Sequence, residues 1–261
     1  MLINSVILFL RDALPVFVLI SMLLAVANHS HRQISWLWWA LVLGLFGSLG
    51  LTHAVDNLSE LLDGAGVEVF MFSGQVATFL LLLLSLYCQF SYRRRGWRWS
   101  AIAIVALVLA MDGANFLVYF FSYWTHEQTP LALIMGTILG GAVCMSVAVL
   151  LHILCRQWLA AGYMLPGALL MLMWGAGQLS YALNLLTQVD LLPPMTPIWD
   201  TSNWIADNSE LGHLLNSLMG YEAAPGLLQL SIYLLAVVLP FSWLYRHVHL
   251  SRSPLAAKGE V

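Results

Sequence analysis

The chain has 261 residues, 61% of them hydrophobic and 9% charged, with a mean hydropathy of +0.83. A soluble domain averages about 25% charged and about 45–50% apolar residues, so this composition excludes an ordinary soluble domain and specifies an all-α integral membrane protein. The formal charge of -3 says little as a sum; its distribution along the chain is what matters, and nothing in it suits nucleic acid.

A helix needs about 20 apolar residues to cross the hydrocarbon. Seven runs meet that criterion, at 4–28, 35–54, 67–91, 100–123, 131–155, 161–186 and 226–247. The start lacks the basic stretch and small-residue cleavage site of a removable signal. The reading is a single membrane domain: a first three-helix unit over 1–91, a second over 100–186, an extracytoplasmic loop over 187–225, a seventh helix and a cytoplasmic tail over 248–261.

The connections alternate in charge. Of the ten Lys+Arg, all but Arg11 fall on one side: Arg32, the Arg93–Arg95 run, Arg98, Arg156, Arg246, Arg252 and Lys258. The positive-inside rule makes that side cytoplasmic, which places the N-terminus outside and the C-terminus inside. The acids Asp56, Glu60, Asp63, Glu68, Glu127, Asp190, Asp200, Asp207, Glu210 and Glu222 fall on the opposite side, and Glu260 lies in the tail. An acidic face is what positive-inside leaves behind; it is equally a field that gathers cations.

Two carboxylates fall inside spans, Asp12 and Asp112. An ionised aspartate at a helix centre costs about 2.5–3.5 kcal/mol, so it faces the bundle interior or a watery cavity. The segments VILFLRDALPVFVLI (6–20) and ALVLAMDGANFLVYF (106–120) align at an offset of 100 residues, Asp12 on Asp112. Units of three spans must be inverted relative to one another, and inverted repeats with a midplane site are a transporter architecture. Pro15 kinks the first helix or frees the Arg11 carbonyl as a cation ligand. Gly113 lets another backbone come close. Arg11 projects about 100° around the helix from Asp12. The preferred role is still a local ion pair that neutralises Asp12 or another acid, and this spacing offers Asp112 or an acid of the outer mouth as the alternative partner.

These residues resemble the oxidase-dependent iron permease family of bacterial inner membranes and fungal plasma membranes. Its R-E-G-L-E motifs in spans one and four correspond to Arg11-Asp12-Ala13-Leu14-Pro15 and Met111-Asp112-Gly113-Ala114-Asn115. Its E-L-F-E-G element is similar to Glu60-Leu61-Leu62-Asp63-Gly64. The segment from Trp199-Asp200-Thr201-Ser202 to Gly220-Tyr221-Glu222-Ala223-Ala224-Pro225 is similar to the family's stretch leading into span seven. The resemblance implies seven spans, N-out and C-in, and an iron permease rather than an enzyme, with no permanently bound cofactor and the iron ion as substrate. Glu60 and Asp63 would gather the metal outside, and Asp12, Asp112 and Asn115 would bind it near the midplane, with Arg11 as the auxiliary charge. It also implies a bacterial inner membrane, a periplasmic iron-binding or oxidase partner, and an oligomer as a further partner state. The second glutamate of each motif is replaced here, by Pro15 and Asn115, and the second arginine by Met111. Hard cations take oxygen ligands, and a site with half the charge favours a less charged ion such as Fe²⁺. The alternative is a permease-like subunit that keeps the fold but does not transport, within an iron-uptake or redox membrane assembly.

The remaining polar residues have two readings each. His53, near Asp56 and Glu60, is either a metal contact or a surface residue. His29, His31, His247 and His249 read as interfacial, and His126 and His213 lie in outer connections. His53 and His152 fall near opposite faces, which disfavours a haem. Gln75 and Gln178 either line a pathway or bond across helices. Gly136 and Gly140 form a G-x-x-x-G packing face. Trp97, Trp99, Trp124 and Trp158 fit aromatic belts. Cys88, Cys144 and Cys155 lie in apolar runs without C-x-x-C spacing, so neither a disulfide framework nor a zinc site is expected.

Overall fold

The computed structural model describes residues 2–30, 34–91, 93–126, 130–193 and 195–251. His31, Arg32, Glu127, Arg252, Lys258 and Glu260 lie outside the described residues, as do the side chains of Asp63, Arg94, Trp124, His126 and His249. The long elements of the described residues are all helical, and among them seven helices are long and apolar enough to cross a membrane. They are α1 (Leu2–His29), α2 (Ser35–Ser59), α3 (Gly66–Phe90), α4 (Arg94–His126), α5 (Pro130–Ala160), α6 (Met164–Gln188) and α8 (Leu227–Ser251). α1 runs unbroken through Pro15. α4 extends back to Arg94, so seven of the ten residues of the basic SYRRRGWRWS stretch are helical.

The helices differ in how much they bury. In α1 and α6, 56% of the most apolar window is buried, against 17% in α2 and α8. α1, α3, α4 and α6 therefore form the centre, while α2, α5 and α8 lie outside it. Trp38 and Phe46 on α2 are over 70% exposed and turn outward, as a lipid-facing surface requires.

The packing order does not follow the sequence order. α1 packs chiefly on α5, and α2 chiefly on α4. Both contacts use small residues spaced four apart. Trp36, Ala40, Gly44 and Ser48 are buried on α2, and Gly136, Gly140, Cys144 and Ala148 on α5. Burial over 34–50 and 134–150 follows the same order, position for position. A Cβ on Gly44 would come within 2.7 Å of Leu109, and one on Gly140 within 3.0 Å of Phe9; Phe9 and Leu109 are themselves 100 residues apart. Gly113 lies against Ser48 and Gly74 against Met111. α2 and α4 therefore run parallel, whereas α3 and α4, which also meet at Cys88 and Gly96, run antiparallel.

The 187–225 segment is not a simple loop. It contains an eighth helix, α7 (Glu210–Met219), which packs on α1 and α6. Ser209 caps its start by accepting from the Gly212 N–H at 3.0 Å. Gly220 ends it in the left-handed region, at φ 70°, a conformation that costs little only without a Cβ. Gly220 also lies against the Gly177 backbone. Gly177 is about 16 Å from the Gln188 end of α6 at 1.5 Å per residue. The end of α7 is thus sunk into the bundle.

Candidate functional site

Asp12 and Asp112 come from the middle of α1 and α4, and the fold brings them within electrostatic reach of one another and of Arg11. Asp12 is buried at 7% exposure. Asp112 has one carboxylate oxygen, Oδ2, fully buried with no hydrogen-bond partner among the described residues. Tyr119 on α4 and Tyr181 on α6 also lie within reach of these charges.

Arg11 does not reach past its neighbour. Its Nε donates to Asp12 Oδ1 at 2.8 Å and its Nη2 to Oδ2 at 3.3 Å. The local pair is the one formed, rather than the alternative toward Asp112 or an acid of the outer mouth. The guanidinium hangs on a long, flexible stem that spans the 100° between the two positions. Its Cζ sits 4.9 Å from the Tyr119 ring centroid, a cation–π contact that joins α1 to α4.

The other expected ligands are placed apart. Asn115 is half-buried one turn beyond Asp112. Glu60 is exposed just after α2, and Asp63 lies in the 3-10 turn Leu61–Gly64. His53 is exposed on α2. Among the described residues no three His, Cys, Asp or Glu side chains are grouped as a metal would require. His152 is tied to α1, 3.3 Å from Asn28 Nδ2 and from the Ser21 carbonyl, so it serves the α1–α5 contact.

Sequence reasoning missed α7's contribution. His213, half-buried on α7, interacts with both Asp12 and Arg11. Burial, then the charge of Arg11, holds its pKa below the ordinary 6.5. The folded state therefore favours neutral imidazole. The stability this provides is present above about pH 6.5 and is lost as pH falls through the lowered value. Acidification from about pH 7 to about pH 5 should accordingly destabilise the wild type more than His213→Gln, read by thermal unfolding in detergent. Parallel pH profiles would show that His213 is uncoupled from the pair.

A second polar cluster joins the sunken segment to α6 and α8. Glu222 accepts from Asn184 Nδ2 at 2.9 Å and from Ser180 Oγ at 3.2 Å. Gln229 donates to Asn184 Oδ1 and receives the Gly226 N–H at 2.8 Å. A cavity of about 240 Å³ opens beside it, with Trp199 and Tyr233 on its wall. The residues that carry the family resemblance most strongly lock this segment to itself. Thr201 Oγ1 bonds Tyr221 Oη at 2.7 Å, Tyr221 Oη donates to the Ile205 carbonyl at 3.0 Å, and the Ile198 N–H donates to the Pro225 carbonyl at 3.0 Å. Their geometry is that of a scaffold beneath which α7 is held.

Compared with known proteins, the chain matches no family model, no curated protein and no solved structure.

Proposed function

We propose that the chain is a permease that moves an iron ion across the cytoplasmic membrane, N-terminus outside, through the site between α1 and α4. The observation that carries this reading is that Asp12 and Asp112, 100 residues apart, lie on the packed central helices α1 and α4 within range of one another's charge. Isolated charges there are costly unless they serve a charged ligand. The matched packing of α1 on α5 and α2 on α4, and the matched burial along 34–50 and 134–150, support two inverted three-helix repeats. Rocking of such repeats about the site supplies alternating access.

In this mechanism Arg11 stands in for the cation while the site is empty. The arriving ion displaces the guanidinium from Asp12, and Tyr119 is positioned to receive it. Oxygen ligands then come from Asp12, Asp112 and Asn115, with Glu60 and Asp63 attracting the ion at the acidic mouth. A bacterial inner-membrane setting and a periplasmic iron-binding or oxidase partner belong to the same proposal.

A second reading is favoured by the Arg11–Asp12 pair itself. A carboxylate already neutralised by its neighbour suits a permease-like subunit that docks partners without transporting. Fe²⁺ uptake by the purified chain in sealed vesicles separates the two. Uptake by the wild type, reduced at least about tenfold in the Asp12→Ala, Asp112→Ala double variant, is the expected result; it corresponds to about 1.4 kcal/mol or more of lost stabilisation. Undiminished uptake by the double variant would remove the site from the pathway. No uptake by the folded wild type would leave the subunit reading.

A further inference from the structure

Three side chains on α3 carry buried oxygens with no hydrogen-bond partner among the described residues: Glu68 Oε2, Gln75 Oε1 and Thr78 Oγ1. Gln75 is 3% exposed and Thr78 is fully buried. Spacings of seven and three residues put all of them on one face of the helix. Asp112 Oδ2 on α4 is the fourth such oxygen. Met111 rests against Gly74, which sets Asp112 beside the level of Gln75.

Thr78 is the clearest anomaly. Three other helical threonines among the described residues satisfy the hydroxyl by donating to the carbonyl four residues back. Thr52 does so to Ser48, Thr137 to Leu133 and Thr187 to Leu183, at 2.8–3.1 Å. Thr78 does not use that bond. A buried polar group left unpaired costs free energy and calls for an explanation. Three such oxygens on one face of α3, with a fourth on the neighbouring α4, call for a common one.

We propose that the Glu68–Gln75–Thr78 face of α3, with Asp112, forms an oxygen-lined seam that admits a hydrated hard cation from the acidic side to the bundle centre. The inference rests on the permease reading and names its route. Oxygen donors alone line the seam, and hard cations exchange hydration water for such donors. The Glu68 carboxylate stands where α3 begins, at the acidic end. Beyond Thr78 the same face carries Leu82, Ser85 and Leu86, all buried, and no further buried oxygen without a partner among the described residues of α3. The seam therefore stops short of the basic side.

Cysteine scanning tests this, in a chain with Cys88, Cys144 and Cys155 changed to alanine and reconstituted in vesicles. The probe is a small, membrane-impermeant trimethylammonium methanethiosulfonate. Glu68→Cys, Gln75→Cys and Thr78→Cys should react at rates within about tenfold of one another. Fe²⁺ should slow all three at least about threefold. Leu82→Cys and the outward-facing Leu80→Cys should remain unmodified. Gln75→Cys and Thr78→Cys as inert as Leu82→Cys, beside a reactive Glu68→Cys, would overturn the seam. In the native cysteine background, Gln75→Leu and Thr78→Val should each reduce Fe²⁺ uptake several-fold in folded protein, and unchanged uptake in both would overturn it equally. Reactive cysteines in a chain that moves no iron would keep the seam and reject iron as its cargo.

Discussion

Arg11→Ala should unfold at a clearly lower temperature than Asp12→Asn. The guanidinium is the only charge hydrogen-bonded to the Asp12 carboxylate among the described residues, through two bonds. Its removal leaves a carboxylate at 7% exposure with Asp112 nearby and His213 as a weak, mostly neutral neighbour. Breaking one side of a buried pair costs about 3–5 kcal/mol. Arg11 is 45% exposed, so the lower part of that range is expected. Asp12→Asn keeps the shape and one acceptor. It also frees Arg11 to settle on Tyr119, at a cost of about 1 kcal/mol. Thermal unfolding of the two variants in one detergent is the measurement. Fe²⁺ should then raise the midpoint of the wild type by mass action and leave Asp12→Asn unmoved. An equal Fe²⁺ shift in both would make Asp12 a packing residue, and equal destabilisation would show that the pair is not what holds its charge.

Gly177→Val should be among the most damaging single changes in the chain. A Cβ at Gly177 would meet the Gly220 Cα at 2.5 Å. Backbone cannot step aside as a side chain tip can. Overpacking a filled core typically costs about 1–3 kcal/mol, and a clash between two backbones belongs at or above the top of that range. Gly220→Ala should lose a similar amount, with about 1–2 kcal/mol added by forcing an L-residue into the left-handed region. Gly167→Ala is the control, in the same helix with open space around it, and should be neutral or slightly stabilising. If Gly177→Val matched Gly167→Ala in thermal unfolding, the end of α7 would not be seated on α6.

The spans were legible because an apolar run of sufficient length has few alternatives in a chain this hydrophobic. Asp12 and Asp112 were legible because charge inside such a run stands out. α7 was not, since polar and acidic residues through 187–225 read as a connection. Its signals were present nonetheless. Ser209 with Glu210 marks a helix start, Leu211, Leu214, Leu215 and Leu218 keep helical spacing, and Gly220 marks its end. What no spacing could give was depth, because the Gly177–Gly220 contact joins residues 43 apart in a register set by tertiary packing. The partner of Arg11 stood between two readings for a related reason. Angular position on a helix constrains Cβ atoms, while a guanidinium several bonds away is free to fold back.

The same pair bears on how the protein is made. α1 ends at His29, and α5, its main packing partner, begins at Pro130. At about 5–20 residues per second of synthesis, roughly 5–20 s separate their arrival in the bilayer. Until its packing partners arrive, α1 stands in lipid with a carboxylate near its middle. An acid whose counterion came from α4 or α7 would have to wait for them. Arg11 travels with Asp12 on the same turn of the same helix, so the charge is neutralised from the moment the segment leaves the translocon.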